Sequence, residues 1–260
     1  MLAAERHAKI LAALRSDGAV KVVDFAELLD VSEMTIRRDL DVLDERELLR
    51  KVHGGAIARN NRGEEPLSTA KAARQHAEKV AIGRAAVDTV EDGMTIAVSA
   101  GTTTLELARL LRGRASITVV TNSISIFQEL TGHHSEPNPI VYLTGGSRTP
   151  SDALVGPIAD AALAAFRVDA VYLGVHGFDV ESGLTTPNIA EAETNRRLIA
   201  TGRRLFVLAD NTKHREVGTN VFAPISAVNT LVVDDGLGAS DRALLAPHLE
   251  TILVAETEKL

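Results

Sequence analysis

From residue 72 to the end of the chain, short apolar runs rich in Val, Ile and Leu alternate with stretches patterned for helix. A helix over 75–89 precedes TIAVS, one over 104–112 precedes ITVVTN, and one over 124–130 precedes IVYLTGG. Further helices over 158–166, 191–200 and 240–249 are interspersed with AVYLGV, RLFVLAD, NTLVVDD and TILVA. The runs at 170–175 and 205–209 lack polar alternation, as expected of strands covered on both faces. This rhythm predicts an open, mostly parallel α/β sheet. A chain of 260 residues can hold that sheet and a smaller domain beside it.

The first sixty residues read differently. A helix over 5–15 carries Ile10, Leu11 and Leu14 on one stripe and ends at Gly18, and a second helix covers 23–29. Asp30-Val31-Ser32 interrupts the pattern, and Ser32 is a suitable N-cap for a third helix. Ile36, Leu40 and Leu43 fall on its inward face, so Thr35, Arg37, Arg38 and Asp41 point elsewhere. A helix, a three-residue turn and a capped helix with paired arginines suggest a helix-turn-helix, its exposed side free to enter a major groove about 12 Å wide. Arg37 and Arg38 can reach base edges or phosphates, with Met34 and Thr35 beside them; alternatively the arginines pair with Asp39 or Asp41 and only solubilise the helix.

After the third helix, 48–52 is strand-like, His53-Gly54-Gly55 makes a tight turn, and Ala56-Ile57 returns as a second strand. Such a wing would set Arg50 or Lys51 beside the duplex backbone, where phosphate contacts position without specifying sequence. The two are adjacent and occupy opposite strand faces. His53 reads as a turn or phosphate-contact residue rather than a metal ligand. Residues 59–70 are polar, with Gly63 and Pro66, and mark the boundary between a domain at 1–58, a linker at 59–71 and a larger domain at 72–260.

Composition narrows the function classes. With no cysteine the chain has no disulfide, thiolate nucleophile or cysteine-ligated metal. Residues 1–62 hold eleven basic and eleven acidic side chains, so the net charge of −7 lies wholly in the remainder. DNA contact must therefore use a local cluster rather than a basic domain. Two tyrosines, six phenylalanines and no tryptophan are a poor supply for stacking single-stranded bases. Charges at positions 5, 6 and 9 and the lack of an apolar run near 18 residues argue against a signal peptide or membrane span, so a cytoplasmic protein is expected. His133-His134 reads as part of an exposed loop, and no metal or other cofactor is expected.

The run VSEMTIRRDLDVLDERELLRKVHGGA resembles the DNA-binding module of the DeoR family of bacterial transcriptional regulators. Val31, Ser32, Thr35, Ile36, Arg37, Arg38, Asp39, Leu40, Leu43, Arg50, His53, Gly54, Gly55 and Ala56 carry the match. The resemblance implies a winged helix-turn-helix joined to a sensor domain resembling ribose-phosphate isomerases. It further implies a repressor of carbohydrate metabolism genes that binds double-stranded operator DNA as a dimer or tetramer and is released by a phosphorylated sugar. Ser32, Met34, Thr35, Arg37, Arg38, Arg50, Lys51 and His53 are the candidate DNA-binding residues.

In open α/β sheets ligands sit beyond the carboxyl ends of the strands. Those ends carry Ser99-Ala100-Gly101-Thr102-Thr103-Thr104, Thr121-Asn122-Ser123, Gly145-Gly146-Ser147-Arg148, His176-Gly177-Phe178-Asp179 and Asp210-Asn211-Thr212-Lys213. Gly101 permits close backbone approach, and the threonines offer hydroxyls and N–H groups at a helix start, suited to phosphate or to plain capping. Lys213 and Arg148 can add charge, or Lys213 can hold its loop by a salt bridge; His176, Asp179 and Glu191 are weaker candidates. Here too the chain resembles the DeoR sensor domain, at Gly101-Thr102-Thr103, Thr121-Asn122-Ser123, Gly145-Gly146, Gly156, Gly183-Leu184-Thr185, Glu191, Asp210 and Lys213. It departs at Ser99, where the family commonly has an acidic residue. Effector candidates are Ser99, Gly101, Thr102, Thr103, Thr104, Asn122, Gly146, Arg148, His176, Glu191, Asp210 and Lys213. The competing reading is a sugar-phosphate isomerase or transferase with a fused DNA-binding module, using Asp210, Lys213 and Glu191 for proton transfer.

Overall fold

The computed structural model describes residues 2–17, 19–46, 48–58, 68–132 and 138–258, and the chain divides into two units, residues 1–61 and 62–260. Residues 59–67 of the linker expected at 59–71, with Gly63 and Pro66, the helix end at Gly18 and the His133-His134 pair all lie outside the described residues.

The first unit runs α1 (Ala3–Asp17), β1 (Ala19–Lys21), α2 (Val22–Leu28), α3 (Glu33–Glu45), β2 (Leu49–Val52) and β3 (Gly55–Ala58). Ile10 and Leu14 from α1, Phe25 and Ala26 from α2, and Ile36, Leu40 and Leu43 from α3 close its core. Between α2 and α3, Asp30 adopts a left-handed φ of 51°, which Asp tolerates better than most residues. Ser32 then caps α3, its Oγ accepting from the Thr35 N–H at 3.2 Å. The wing is a hairpin turning at His53 and Gly54, with Gly54 at φ 80°. It is larger than the two strands expected from sequence, because β1 pairs antiparallel with β3 to make a three-stranded sheet. A Cβ on Gly55 would sit 2.0 Å from the Val20 carbonyl oxygen, so this strand contact requires glycine.

The second unit is built on seven parallel strands: β4 (Thr95–Val98), β5 (Thr118–Thr121), β6 (Ile140–Leu143), β9 (Val168–Gly174), β12 (Gly202–Leu208), β14 (Thr230–Asp234) and β15 (Thr251–Ala255). One face is covered by α5 (His76–Val87), α6 (Thr102–Leu110) and α7 (Ile124–Thr131), which contribute Ile82, Leu107 and Ile126. The other is covered by α8 (Pro157–Ala164), α9 (Ile189–Thr201) and α10 (Ala239–Leu245), through Leu163, Leu198 and Leu245. Ala170 and Tyr172 of β9 face the first core while Val171 and Leu173 face the second, which is why that strand reads as continuously apolar. Each fully buried leucine of this kind contributes about 1.5–3 kcal/mol.

The strand order is β15-β14-β12-β9-β4-β5-β6. The chain enters at β4, moves outward through β5 and β6, then returns to place β9 on the other flank of β4. The order reverses there, and neighbouring connections leave the sheet in opposite directions, opening a crevice at the carboxyl ends of β4 and β9.

Four features of this unit depart from the sequence reading. Helix α4 (Ser68–Ala73) occupies the end of the expected linker, and its first N–H donates to the Pro150 carbonyl at 3.2 Å, so residues 68–71 belong to the larger unit. A two-stranded ribbon, β7 (Ser147–Arg148) with β8 (Leu154–Val155), stands outside the main sheet; two residues per strand are too few to show a period. A small antiparallel sheet joins β10 (Gly177–Asp179), β11 (Gly183–Thr186) and β13 (Asn220–Ala223), a pairing across distant sequence that leaves no local signal. Helix α6 also starts at Thr102, two residues before the start expected from sequence.

Candidate DNA-reading surface and ligand site

On the first unit, Glu33, Met34, Arg37 and Arg38 are exposed along the N-terminal half of α3, with Thr35 half-buried beside its cap. Arg37 bonds Glu33 one turn earlier at 3.0 Å, and Lys51 pairs with Asp41. Among the described residues Arg38 has no ion-pair partner. The pairings of these arginines with Asp39 or Asp41, considered from sequence, are therefore not formed. Asp39 instead turns inward, accepting from Arg6 Nε at 2.7 Å and lying 3.0 Å from His7 Nε2. Burial pushes its carboxyl up, but the Arg6 and His7 hydrogen bonds and the Arg6 charge outweigh burial and hold it below the usual carboxylate value. This cluster ties α3 to α1. Arg50 and His53 are exposed on the wing, and the alternation of the strand sends Arg50 and Lys51 to opposite faces.

At the carboxyl edge of the second unit, the turn after β4 is fixed from three sides. Ser99 Oγ accepts from the Gly174 N–H at 2.9 Å, bridging β4 and β9 at the reversal of strand order. Asn122 Oδ1 accepts from the Ala100 N–H at 2.9 Å while its Nδ2 donates to the Leu154 carbonyl at 3.1 Å. Thr104, fully buried, donates to the carbonyls of Ser99 and Gly101 at 2.8 and 3.0 Å. A Cβ on Gly101 would come within 3.0 Å of Thr104 Oγ1, so the glycine lets the turn close over that hydroxyl. Ser99, Asn122 and the Thr104 side chain are therefore anchors for the backbone.

What this leaves open is the start of α6. The N–H groups of Thr102, Thr103 and Thr104, in the first turn, have no carbonyl one turn back. Among the described residues neither the Thr102 nor the Thr103 hydroxyl has a hydrogen-bond partner. Oriented donors at the positive end of a helix suit a tetrahedral anion.

The remaining candidates separate into two groups. Asp210, buried, caps the short helix Asn211–Lys213 by accepting from the Thr212 N–H at 3.2 Å. Lys213 is half-buried and, among the described residues, makes no ion pair; the salt bridge considered for it is not formed. In the second group, Arg148 bonds Asp152 at 2.6 Å and its side chain is 67% exposed. Glu191, on the first turn of α9, accepts from Thr149 Oγ1 at 2.5 Å and from Ser151 Oγ, fastening the turn between β7 and β8. Gly146 has φ 115°, and a Cβ there would lie 2.5 Å from the Val155 carbonyl oxygen. His176 Nε2 lies 3.9 Å from Glu216 Oε1, and Asp179 caps its own turn through the Glu181 and Ser182 N–H groups. Glu191 and Asp210 thus hold turns, an arrangement unlike a matched pair of proton-transfer groups. Among the described residues no group of three or more histidine and carboxylate side chains is placed to hold a metal ion.

One residue that the sequence reading passed over is Lys79. It is 4% exposed on the first turn of α5, and its Nζ donates to the carbonyls of Lys71 and Arg74, each at 2.5 Å. Burial pulls its ammonium down to about 8; the charges of Asp210 and Glu106 oppose that fall, and those of Lys213 and Arg74 add to it. Its place in sequence carried a signal, because Lys79, Ile82, Gly83 and Ala86 share the buried face of α5 at helical spacing.

Known proteins similar to this chain agree with both halves. Residues 6–62 match the DeoR-like helix-turn-helix domain, and residues 74–235 match the DeoR C terminal sensor domain. The HTH-type transcriptional regulator GlpR of Haloferax volcanii is 34% identical over 93% of this chain and 94% of its own. The transcriptional repressor AccR of Agrobacterium fabrum and the HTH-type transcriptional regulator GolR of Listeria innocua are each 33% identical over 89% of this chain and 90% of their own. Ribose 5-phosphate isomerase A from Methanocaldococcus jannaschii overlaps 53% of this chain and 54% of its own with a TM-score of 0.39 and 16% identity; the architecture above rests on the strand order of the chain itself. With a helix-turn-helix module and a sensor domain each matched along its length, the chain belongs to the DeoR family of transcriptional regulators.

Proposed function

We propose that the chain represses transcription by binding operator DNA as a symmetric oligomer through α3 and the wing, and that a phosphorylated sugar at the start of α6 releases it. The observation that carries the ligand half is the combination of open N–H groups and unpartnered Thr102 and Thr103 hydroxyls at the reversal of strand order, on the edge that also bears Lys213. The anchors Ser99, Asn122 and Thr104 pre-organise that turn, so little ordering is required when a phosphate arrives. On the DNA side, Arg38 is the exposed cation on the reading helix without an ion-pair partner among the described residues, while Arg50, Lys51 and His53 meet the backbone. One reading helix covers few base pairs, so two copies spaced about 34 Å apart supply a usable site. Residues 59–67 serve as the connection between the units, and the protein works in the cytoplasm; among the described residues no helix is long and apolar enough to cross a membrane.

The deciding experiment titrates a panel of sugar phosphates and their unphosphorylated counterparts into a complex of the protein with its operator. Release by one phosphosugar and not by its parent sugar supports the reading. Tighter DNA binding at saturating phosphosugar makes it a corepressor site, and no response across the panel removes the phosphate assignment.

A further inference from the structure

We infer that Lys79 couples the phosphate site to α4, the helix at the end of the interdomain connection, with two ammonium N–H groups holding the α4 segment and the third given to a bound phosphate oxygen. The inference rests on the phosphate site proposed above and adds a route by which its occupancy reaches the rest of the chain.

An ammonium carries three donors. Two are used on the carbonyls of Lys71, near the end of α4, and Arg74, in the turn that follows it; the Lys71 carbonyl also accepts from the Arg74 N–H at 3.3 Å. Among the described residues the third has no acceptor, although the side chain is 4% exposed. A buried charge with an idle donor is costly unless something completes it. Helix α5 precedes β4 and runs against the strands, so its first turn lies at their carboxyl edge, the edge where α6 begins. The charged groups acting on Lys79 are Asp210 and Lys213 from the loop after β12, Glu106 from α6, and Arg74. Two of those four come from the strand-end loop assigned to the ligand site.

An anion oxygen that accepts the third N–H completes the buried ammonium and holds Nζ in place against the two α4 carbonyls. Phosphate binding and docking of α4 are then positively coupled, and the coupling is reciprocal. The far end of α4 is held independently, by the Ser68 N–H on the Pro150 carbonyl at 3.2 Å, and Pro150 lies in the turn that Glu191 fastens. Lys79 is accordingly the adjustable attachment and Pro150 the fixed one.

Hydrogen exchange of the full-length protein, with inorganic phosphate against chloride at equal ionic strength and pH 7, tests this. In the wild type, amides of residues 68–75 and of residues 102–107 should both slow on phosphate addition, by about fivefold or more. In Lys79→Met the 68–75 amides should exchange faster without phosphate and gain nothing from it, whereas Lys79→Arg should restore part of the response. Protection of 102–107 without any change at 68–75 in the wild type overturns the coupling and leaves the phosphate site standing. An undiminished 68–75 response in Lys79→Met overturns the role of Lys79. Silence of both segments in the wild type overturns the phosphate site and the coupling with it.

Discussion

Arg6 on α1 reaches across the first unit to grip Asp39 on α3, Nε to Oδ2 at 2.7 Å and Nη2 to Oδ1 at 3.1 Å. The fork closes the inner side of the reading helix and is joined by His7 on the same carboxylate. Asp39→Asn keeps the shape and removes the charge, so it should lower the melting temperature of the first unit and weaken binding to every DNA sequence alike. Because the folded carboxyl is held below its ordinary value of 3.8, its contribution to stability is complete above that value and is lost as the pH falls through the lower, folded value. An acid titration of helicity should show that loss in the wild type and not in Asp39→Asn; superimposable acid limbs would contradict the ion-pair role.

Arg38 and Lys51 should fail in different ways. Arg38→Ala removes the exposed cation on α3 that has no ion-pair partner among the described residues, and specific binding should weaken by about 1–3 kcal/mol if it reads a base edge in bidentate fashion. Lys51→Ala should weaken cognate and scrambled duplexes equally and flatten the salt dependence, as loss of one phosphate contact does. Fluorescence anisotropy at several salt concentrations separates the two, and equal loss on both duplexes for Arg38→Ala would reassign it to the backbone.

At the ligand edge, Thr103→Val keeps the volume and removes one unpartnered hydroxyl. The protein should still bind operator DNA, with effector-driven release shifted to higher phosphosugar concentration by roughly 0.5–1.5 kcal/mol, or up to 3 kcal/mol if the partner is a charged oxygen. Asn122→Ala should do more, since it strands the Ala100 N–H and the Leu154 carbonyl together. Calorimetric melting beside effector titration distinguishes them: Thr103→Val should melt as the wild type does, and Asn122→Ala should not.

Lys79 gives the second unit an alkaline signature. Its ordinary value is 10.5 and its folded value about 8, so between these the unfolded chain binds the extra proton. Stability attributable to this residue therefore rises as the pH goes from about 8 toward 10.5, and below 8 the full cost of the buried charge is present. Melting temperatures of wild type and Lys79→Met across that range should converge or cross in favour of the wild type. Parallel curves would mean that Lys79 does not titrate in the window.

The parts legible in sequence were those with a local cause. Ile36, Leu40 and Leu43 fixed the buried face of α3 by spacing, and Ser32 marked its start. The inner strands showed as apolar runs because both their faces are covered, and the edge strands β6 and β15 showed by their Val, Ile and Leu content although several of their side chains are exposed. Three things were hidden for physical reasons. Strand β1 is three residues long and is stabilised only by pairing with β3, some 36 positions away in sequence. The inward turn of Asp39 depends on Arg6, a partner 33 residues earlier, and spacing along α3 alone cannot show it. The division of Ser99, Asn122 and Thr104 into anchors and of Thr102 and Thr103 into open donors depends on which carbonyl each hydroxyl meets, a matter of loop geometry rather than residue type.

The β7–β8 ribbon lies outside the seven-stranded sheet and meets it only past the end of β5, where Ala153 bridges Ser123 and the Leu154 N–H donates to the Asn122 carbonyl at 2.7 Å, while its turn is fastened by Glu191 through two hydroxyls. Ser147 and Arg148 of β7 are exposed and pair only with β8, so their side chains can be exchanged without altering the register of any central strand. An exposed rim of this kind can change its side chains while the chassis beneath keeps folding, so selection can explore surface chemistry and stability on separate residues.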